Sequence, residues 1–230
     1  MRKDDTRMVH DFHTHTILSD GDLLPIELIR RAIVRGYRVI GITDHVSASN
    51  IRTVIPALIA DCRLAEKHWD IRAIPGVELT HLPPGGIAEL AAEASKLGAE
   101  LVVVHGETPA EPVQEGTNLA ALNCPEVDVL AHPGPISAET AELAARNGIY
   151  LEISSRRGHS LANGAVVAAG RQAGAGFLIN SDSHSPSDIL TDDWQLRVAQ
   201  SAGLSASEID VALRANPRQL LAKIDARRRA

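Results

Sequence analysis

The chain has 230 residues, which is enough for one sizeable domain with its own core and short for two. Hydrophobic residues make up 44% of the chain and charged residues 23%, a composition typical of globular rather than disordered proteins. The net charge of −6 argues against a general binder of nucleic-acid backbones, which would carry a basic surface.

The cysteines and the chain ends bear on the cellular compartment. Cys62 and Cys124 lie far apart and form no CxxC motif, which indicates reduced thiols. The first ten residues are polar, and no apolar run is long enough to span a bilayer. We therefore expect a cytoplasmic protein without a membrane partner. The basic run ARRR at 226–229 is interpreted as a solvated tail.

Short apolar runs alternate with helical patterns along the chain. In chain order the sequence predicts a strand at 7–12, a helix at 25–36, a strand at 38–43, a helix at 53–68, a strand at 71–78, a helix at 87–98, a strand at 100–105, a short helix at 117–122, a strand at 127–132, a helix at 137–148, a strand at 149–154, a helix at 163–174, a strand at 176–182 and helices over 186–226. Pro75 weakens the third strand.

Seven strands, each followed by a helix, predict parallel βαβ units. An open doubly wound sheet and a closed barrel both fit this order of elements. No GxGxxG or GxxxxGK[ST] motif follows any strand, which lowers the support for nucleotide-binding versions of the open sheet.

Nearly every histidine or acid in an apolar context stands at the carboxyl end of a predicted strand. In chain order these residues are Asp11, His13, His15, Asp44, His45, Glu78, His105, His132, Glu152, Asp182 and His184. The carboxyl ends of all strands of a βα barrel face one mouth, where active sites are built. Because side chains alternate along a strand, His13 and His15 share a face. The pattern indicates a single converging site.

Such a cluster of histidines and carboxylates cannot be buried without partners, and metal ions would supply them. Imidazole nitrogens suit zinc and iron, and carboxylates suit manganese or magnesium and can bridge two ions. The strand ends contribute no cysteine, which argues against a purely structural zinc site.

The segments DFHTHTILSDG, GITDH, GVE, VVVHG, VLAHPG and NSDSH, in this order, resemble the polymerase and histidinol phosphatase (PHP) family. The resemblance covers residues 9–185. It implies one domain over 1–230 that is a distorted (β/α)7 barrel, with the motifs in about 8–185 and C-terminal helices in about 186–226. It also implies a metal-dependent phosphoesterase.

The resemblance implies a site of two to three divalent ions, which could be zinc, manganese or iron. By position, one ion would be held by His13, His15, Glu78 and Asp182. Glu78 would bridge to a second ion, held also by His105 and His132. A third would be held by Asp20, His45 and His184. Many members have a histidine where this chain has Asp20, and Asp20 is also a typical turn residue in SDGD.

The charge of this implied site favours a phosphate ester as substrate. Three divalent ions and the carboxylates of Asp20, Glu78 and Asp182 would leave a net charge of about +3. A water that bridges the first two ions would lose a proton near neutral pH and attack phosphorus.

Further residues are candidates for the chemistry. One of Arg156 and Arg157 is expected to face the site and bind phosphate, because arginine matches its geometry through forked donors. His159 or His81 could donate a proton to the leaving group. Asp44 is a candidate catalytic residue, although Asp11 and Asp44 are more plausible as residues that orient ligand imidazoles.

Several activities stay open from the sequence. The first is hydrolysis of a small phosphorylated substrate, including histidinol-phosphate-like monoesters. Phosphodiesterase or exonuclease activity on small nucleotides is an alternative, as is hydrolysis of amides or esters by an amidohydrolase-type site. Many amidohydrolase-type sites use a modified lysine at a strand end, and no lysine stands at a predicted strand end here, which argues against this alternative. An accessory nucleic-acid-binding module is a third reading, against which the acidic charge and the scarcity of aromatic residues count.

Overall fold

Eight parallel strands form one sheet, nearly closed into a barrel, in a computed structural model that describes residues 8–229. The strands are β1 (Val9–Asp11), β2 (Tyr37–Ile42), β3 (His45–Val46), β4 (Arg72–Leu79), β5 (Leu101–His105), β6 (Val129–Ala131), β7 (Tyr150–Ser154) and β8 (Phe177–Asn180). Their order is β1-β2-β4-β5-β6-β7-β8, and β3 pairs with β4. A parallel bridge between Thr14 and Ser183 joins the two ends of the sheet.

The predicted barrel of seven strands is confirmed, with one addition. β3 has only two residues and follows β2 after a break at Thr43 and Asp44, so it continues the second predicted strand. The first predicted strand began at Arg7, which lies outside the described residues.

Pro75 does not shorten its strand as the sequence suggested. β4 pairs with β2 up to Pro75, and its pairing with β5 begins at the next residue, Gly76. The carbonyl of Pro75 still accepts a hydrogen bond from the Glu100 amide at 2.8 Å. The missing amide hydrogen therefore falls where the ladder to β2 ends, a position that proline tolerates.

Helices cover the outside of the sheet. They are α1 (Pro25–Val34), α2 (Ile51–His68), α3 (Ile87–Leu97), α4 (Thr117–Leu122), α5 (Ala138–Asn147), α6 (Asn163–Ala173), α7 (Asp192–Ser201), α8 (Ala206–Asp210) and α9 (Asn216–Arg229), with a π-helical turn at Val211–Ala215. Left-handed glycines at 98, 148 and 174 end α3, α5 and α6. Across residues 8–229, none of these helices combines the length and the apolar character that crossing a bilayer requires.

The barrel interior holds a small apolar core of its own. Phe12, Ile74, Val103 and similar side chains fill it, and Leu220 and Ile224 of α9 pack against them. The C-terminal helix therefore covers the end of the barrel opposite the strand carboxyl ends. A larger core lies between the strands and the outer helices.

The basic run at 226–229 is not the solvated tail that the sequence suggested. It belongs to α9, and Arg227 Nη2 donates to Asp128 Oδ2 at 2.9 Å. Arg228 lies 3.2 Å from Glu66. These ion pairs were missed because their carboxylates come from α2 and from the residue just before β6, far away in sequence.

Candidate metal centre

The carboxyl ends of the strands bring the predicted ligands together. His13 and His15 follow β1, and their Nε2 atoms face the carboxylates of Glu78, on β4, and Asp182, after β8. His13 Nε2 lies 3.3 Å from Glu78 Oε1, and His15 Nε2 lies 3.3 Å from Asp182 Oδ1. Two ligands about 2.0–2.2 Å from one tetrahedral ion are separated by about 3.3–3.6 Å, so these spacings fit a shared cation.

Glu78 also faces the second predicted group. Its Oε1 lies 3.4 Å from His132 Nε2, and the rings of His132 and His105 are 4.4 Å apart. The ligating atoms of His105, His132 and His159 lie within 4.8 Å of one another. The structure thus brings His159 into this group, as a third imidazole beside the two that the resemblance implied.

Asp20 joins the third predicted group. Its Oδ1 lies 3.1 Å from His184 Nε2 and 3.4 Å from His45 Nε2. The Asp20 side chain is 55% exposed, so this group lies at the rim of the mouth. Asp20 is both the turn residue that its sequence context indicated and a possible ligand.

The donor atoms at the bottom of the mouth are buried and unsatisfied. Within residues 8–229, His13 Nε2, both nitrogens of His15 and Glu78 Oε1 make no aligned hydrogen bond, although His13 Nε2 lies 3.3 Å from Glu78 Oε1 and His15 Nε2 lies 3.3 Å from Asp182 Oδ1. Buried polar atoms normally have partners, and leaving them without one is costly. The ligating atoms of His13, His15 and Glu78 lie within 4.8 Å of one another, which fits metal ligation, so the residues present suit divalent ions.

The imidazoles keep the carboxylates ionised, as metal ligation requires. Burial alone would raise the pKa of Glu78, but His13, His45 and His105 hold it well below its usual range. Burial likewise opposes a low pKa at Asp182, and His13 and other imidazoles lower it. The pKa of His15 falls to about 3, because burial and the nearby His45 disfavour its charged form.

Two of the predicted ligands have an unusual backbone. His132 has a φ of 26° and Asp182 a φ of 53°, and His81 at the rim has a φ of 51°. Left-handed backbone is unfavourable for residues other than glycine and is concentrated at functional sites. Gly106 makes room for the ligand-bearing segment after β6, because a Cβ there would lie 2.3 Å from the carbonyl oxygen of Ala131.

Glu152 of β7 was noted at a strand end but received no role from the sequence. Its Oε1 lies 2.8 Å from His13 Nδ1, and its Oε2 accepts from the His132 amide at 3.1 Å. The carboxylate thereby fixes the ring of one possible ligand and the backbone of another. The signal for such a role was available in the sequence, because Glu152 is the only acid in the apolar segment YLEIS.

Glu111 was not predicted from the sequence as a residue of the site. It lies in the loop between β5 and α4, and its Oε2 is 3.0 Å from both His81 Nε2 and His105 Nε2. Hydrogen bonding from His105 lowers the pKa of Glu111 to about 2, although burial opposes the shift. His81 is exposed and lies at the rim beside this carboxylate. An irregular loop carries no periodic signal from which the contact could have been predicted.

Asp44 and Asp11 do not orient ligand imidazoles as expected. Asp44 accepts from the Thr16 amide at 2.7 Å and from the Ser19 hydroxyl at 2.6 Å, so it holds the loop after β1. These contacts also argue against a catalytic role for Asp44. Asp11 accepts from the His13 amide at 3.3 Å and from the Tyr37 hydroxyl at 2.9 Å. Both carboxylates position the backbone that carries ligands, rather than the rings.

Only one of the two candidate arginines faces the centre. Arg156 Nη1 donates to the carbonyl oxygen of Asp182 at 3.2 Å and lies 2.7 Å from His184 Nδ1. Arg157 is exposed, and within residues 8–229 it makes no hydrogen bond or ion pair with these residues. Arg156 lies at a bend and Arg157 in the turn that follows β7, so the two neighbours differ in exposure.

His159 is a poor candidate for the proton donor. Burial, and then the positive field of His132, lower its pKa to about 4. Its Nδ1 lies 2.7 Å from the Thr108 hydroxyl, and its ring stacks on His132 at 4.1 Å. A neutral imidazole at neutral pH is better suited to ligation than to proton donation.

Solved structures with the same fold include several hydrolases. A candidate histidinol phosphatase, hisK, from Listeria monocytogenes aligns with a TM-score of 0.57 at 13% identity, over 78% of this chain and 97% of that one. A zinc-bound amidohydrolase from Burkholderia ambifaria gives a TM-score of 0.58 at 12% identity, over 90% and 70%. A chain of archaeal ribonuclease P gives 0.60 at 14%, over 94% and 90%. At these identities the similarity shows the fold alone.

Sequence relatives are closer. No known family profile matches the chain. The probable phosphatase YcdX of Escherichia fergusonii is 25% identical over 246 residues, which cover 94% of each protein. The uncharacterized protein MJ1295 of Methanocaldococcus jannaschii is 48% identical over 218 residues, which cover 94% of this chain and 100% of that protein. The chain therefore belongs to the same family as MJ1295.

Proposed function

We propose that the protein is a metal-dependent phosphoesterase of the PHP type that hydrolyses a small phosphorylated substrate. The observation that carries the proposal is the group of buried, unsatisfied donor atoms of His13, His15 and Glu78, beside which a guanidinium is placed. A centre of divalent ions explains those atoms, and a neighbouring Arg156 favours an anionic substrate.

The proposed ligand groups follow the three clusters at the strand ends. One ion would be held by His13, His15, Glu78 and Asp182, a second by Glu78, His105 and His132 with His159 within reach, and a third by Asp20, His45 and His184. Divalent ions in such a set supply an activated water and stabilise charge on phosphoryl oxygens. Which of zinc, manganese and iron is bound is part of the test below.

The other side chains have separate roles in the proposal. Arg156 would hold a phosphoryl oxygen at the side of the mouth where Asp182 and His184 lie. Its side chain is 31% exposed, so its remaining donors can reach a substrate. Glu152 would keep the ring of His13 in the orientation that ligation needs. His81, exposed at the rim, is the better placed of the two histidines to protonate a leaving group.

The test is a panel of substrates with metal-loaded protein. The protein is loaded separately with Zn²⁺, Mn²⁺ or Fe²⁺ and offered phosphomonoesters, phosphodiesters, short oligonucleotides and simple amides. Release of inorganic phosphate from a monoester supports the proposal. Amide turnover without phosphate release would contradict it and favour an amidohydrolase.

The same panel separates the phosphoesterase alternatives. A phosphodiesterase or exonuclease would release nucleotides from oligonucleotides and leave monoesters intact. Amides are included in the panel because the fold is similar to that of amidohydrolases. Arg156→Gln is the informative variant, because losing a phosphate-binding fork should raise KM for phosphate esters by about tenfold or more and leave amide turnover unaffected.

A further inference from the structure

A cavity of about 600 Å³ lies beside the mouth and has no role in the site described above. Its walls carry three arginines, Arg35, Arg156 and Arg157, together with Asp188 and Trp194. Arg35 comes from the end of α1, Arg156 and Arg157 from the segment after β7, and Trp194 from α7. Two separate parts of the chain thus bring positive charge to one cavity, which we call the arginine pocket, and a third part brings the indole of Trp194.

The arginine pocket is continuous with the candidate metal centre through Arg156. One side of this guanidinium contacts the Asp182 carbonyl and His184, and the same side chain forms part of the pocket wall. A substrate whose phosphoryl group lies at the metal centre would therefore direct its leaving group past Arg156 or into the pocket.

The positive charge of the pocket is not neutralised internally. Among the residues that the structure describes, no carboxylate lies within ion-pair distance of Arg35 or Arg157. The one acid of the wall, Asp188, accepts hydrogen bonds from the amides of His184 and Ser185 at 3.2 and 2.9 Å. Its carboxylate is thus used to hold the loop after β8. Two unpaired arginines facing one cavity in a chain of net charge −6 indicate an anionic ligand.

The surroundings extend this positive region. A neighbouring cavity of about 340 Å³ is lined by Arg30, Arg31 and again Arg35. Of these, Arg31 is paired with Glu27 at 2.8 Å, and Arg30 lies over the ring of Trp69. Arg35 is therefore the member of this group whose guanidinium is available to the arginine pocket.

Trp194 adds an apolar surface to the pocket. Its side chain is 52% exposed, which is unusual for so large an apolar group, and it separates the pocket from a further cavity of about 650 Å³. Its indole offers a flat contact for the carbon skeleton of a ligand. The pocket therefore combines oxyanion donors with a face for an organic group.

We propose that the arginine pocket is a second anion subsite, which binds a phosphate carried by the leaving group, so that the preferred substrate is an ester with two phosphates. The proposal deepens the proposed function and rests on it for the position of the reacting phosphoryl group. Arg35 and Arg157 bind the distal phosphate, and Arg156 separates the two subsites.

Phosphonates test the proposal by direct binding, because their P–C bonds resist hydrolysis. Propylphosphonate and a series of alkane-α,ω-bisphosphonates of increasing chain length are titrated calorimetrically into the full-length, metal-loaded protein. Metal content is measured after each titration. Arg35→Gln and Arg157→Gln test the pocket, and Arg146→Gln is the matched control, since Arg146 is an exposed arginine on α5.

We expect at least one bisphosphonate to bind about tenfold or more tightly than propylphosphonate, and Arg35→Gln and Arg157→Gln to bring that ratio close to one. Arg146→Gln should leave the ratio unchanged. Equal affinity for mono- and bisphosphonates at every chain length would overturn the proposal, as would an equal effect of the control variant.

The same experiment separates the two proposals. If propylphosphonate competes with ester hydrolysis but no bisphosphonate binds better, the second subsite is wrong and the phosphoesterase stands. If bisphosphonate binding depends on Arg35 in a protein that hydrolyses no ester with any metal, the subsite stands and the phosphoesterase is wrong. An absence of binding by any phosphonate overturns the subsite.

Discussion

The two ends of the barrel both concentrate charged groups, but only one end neutralises them internally. At the amino ends of the strands, Arg72 Nη2 pairs with Glu100 at 2.8 Å, and Asp128 pairs with Lys223 at 3.0 Å and with Arg227 at 2.9 Å. At the carboxyl ends, the nitrogens of His15 are buried without an aligned hydrogen bond among residues 8–229.

The difference separates structural from functional charge. Ion pairs at the amino ends complete themselves with side chains of the chain, and they hold α9 against the barrel. The imidazoles at the carboxyl ends outnumber suitable internal partners, so they need an external cation. Charge density alone therefore does not mark an active site, and neither does a single unsatisfied buried atom such as Asp128 Oδ1. A cluster of such atoms on His13, His15 and Glu78 does.

The largest effect is expected at Glu78, which faces both inner ligand groups. Glu78→Gln keeps the size of the side chain but removes the charge that two ions would share. We expect kcat/KM for the best phosphate ester to fall on the order of 10³-fold. Asp128→Asn, at the other end of the barrel, is the control and should change kcat/KM less than twofold, which corresponds to about 0.4 kcal/mol in activation free energy. Activity of Glu78→Gln within tenfold of the parent would contradict the assignment, since about 1.4 kcal/mol is too small a loss for a shared ligand.

Asp11 provides an intermediate case, a buried carboxylate beneath the mouth that is held by neutral donors. Burial raises its pKa to about 6, although hydrogen bonds from Ser181 and Tyr37 oppose the shift. The fold therefore favours the protonated acid, and the stability this contributes is present below about pH 4 and lost as the pH rises through about 6.

Replacing the Asp11 carboxyl by an amide should reveal its pH-dependent contribution to stability in chelator-treated protein. Between about pH 4 and pH 7, the free energy of unfolding of Asp11→Asn should rise relative to the parent by up to about 3 kcal/mol. Denaturant titrations at a series of pH values measure the difference, and titrations common to both proteins cancel. A difference that is constant with pH would show that Asp11 titrates normally.

Glu152 tests whether the carboxylate behind His13 supports metal binding. Glu152→Gln retains one acceptor but removes the charge that faces the imidazole. We expect its affinity for Zn²⁺ to be lower by about 10–100-fold, measured by competition with a chromogenic chelator. Glu139→Gln, an exposed substitution at the start of α5, is the control. An unchanged affinity would mean that Glu152 serves only the fold.

The smallest effect is expected at the amino end of the barrel. Asp128→Asn leaves Lys223 and Arg227 without their carboxylate, and these partners are 41% and 38% exposed. Solvent therefore compensates part of the loss, and the free energy of unfolding should fall by about 1–2 kcal/mol. Metal content should be unchanged. A loss of metal in this variant would show that the two ends are coupled.

The position of polar residues at the carboxyl ends of predicted strands indicated most of the candidate site, because parallel strands bring these ends to one mouth. The predicted strands alone were enough to place His13, Glu78 and Asp182 in the site. Contacts that depend on loop conformation escaped prediction, as Glu111 shows. So did the choice between Arg156 and Arg157, because neighbouring side chains in an irregular segment take directions that one sequence does not determine.

Most of the fold was also predictable from the sequence, and the prediction failed where an element is very short or depends on distant contacts. Alternating periodicities identified all seven strands of the barrel, and β3 was missed because two residues carry no periodicity. The helical extension through Arg227 and Arg228 escaped prediction because the acids that pair with them are distant in sequence.

Metal stoichiometry shows whether the carboxyl ends of the strands form a metal centre. The parent protein and a variant carrying His13→Ala and His15→Ala are equilibrated with Zn²⁺ or Mn²⁺, dialysed and analysed by elemental mass spectrometry, with Asp128→Asn as the control. We expect about two to three ions per chain in the parent and in Asp128→Asn, and at least one ion fewer in the double variant. Full metal occupancy of the double variant would contradict a metal centre built on His13 and His15.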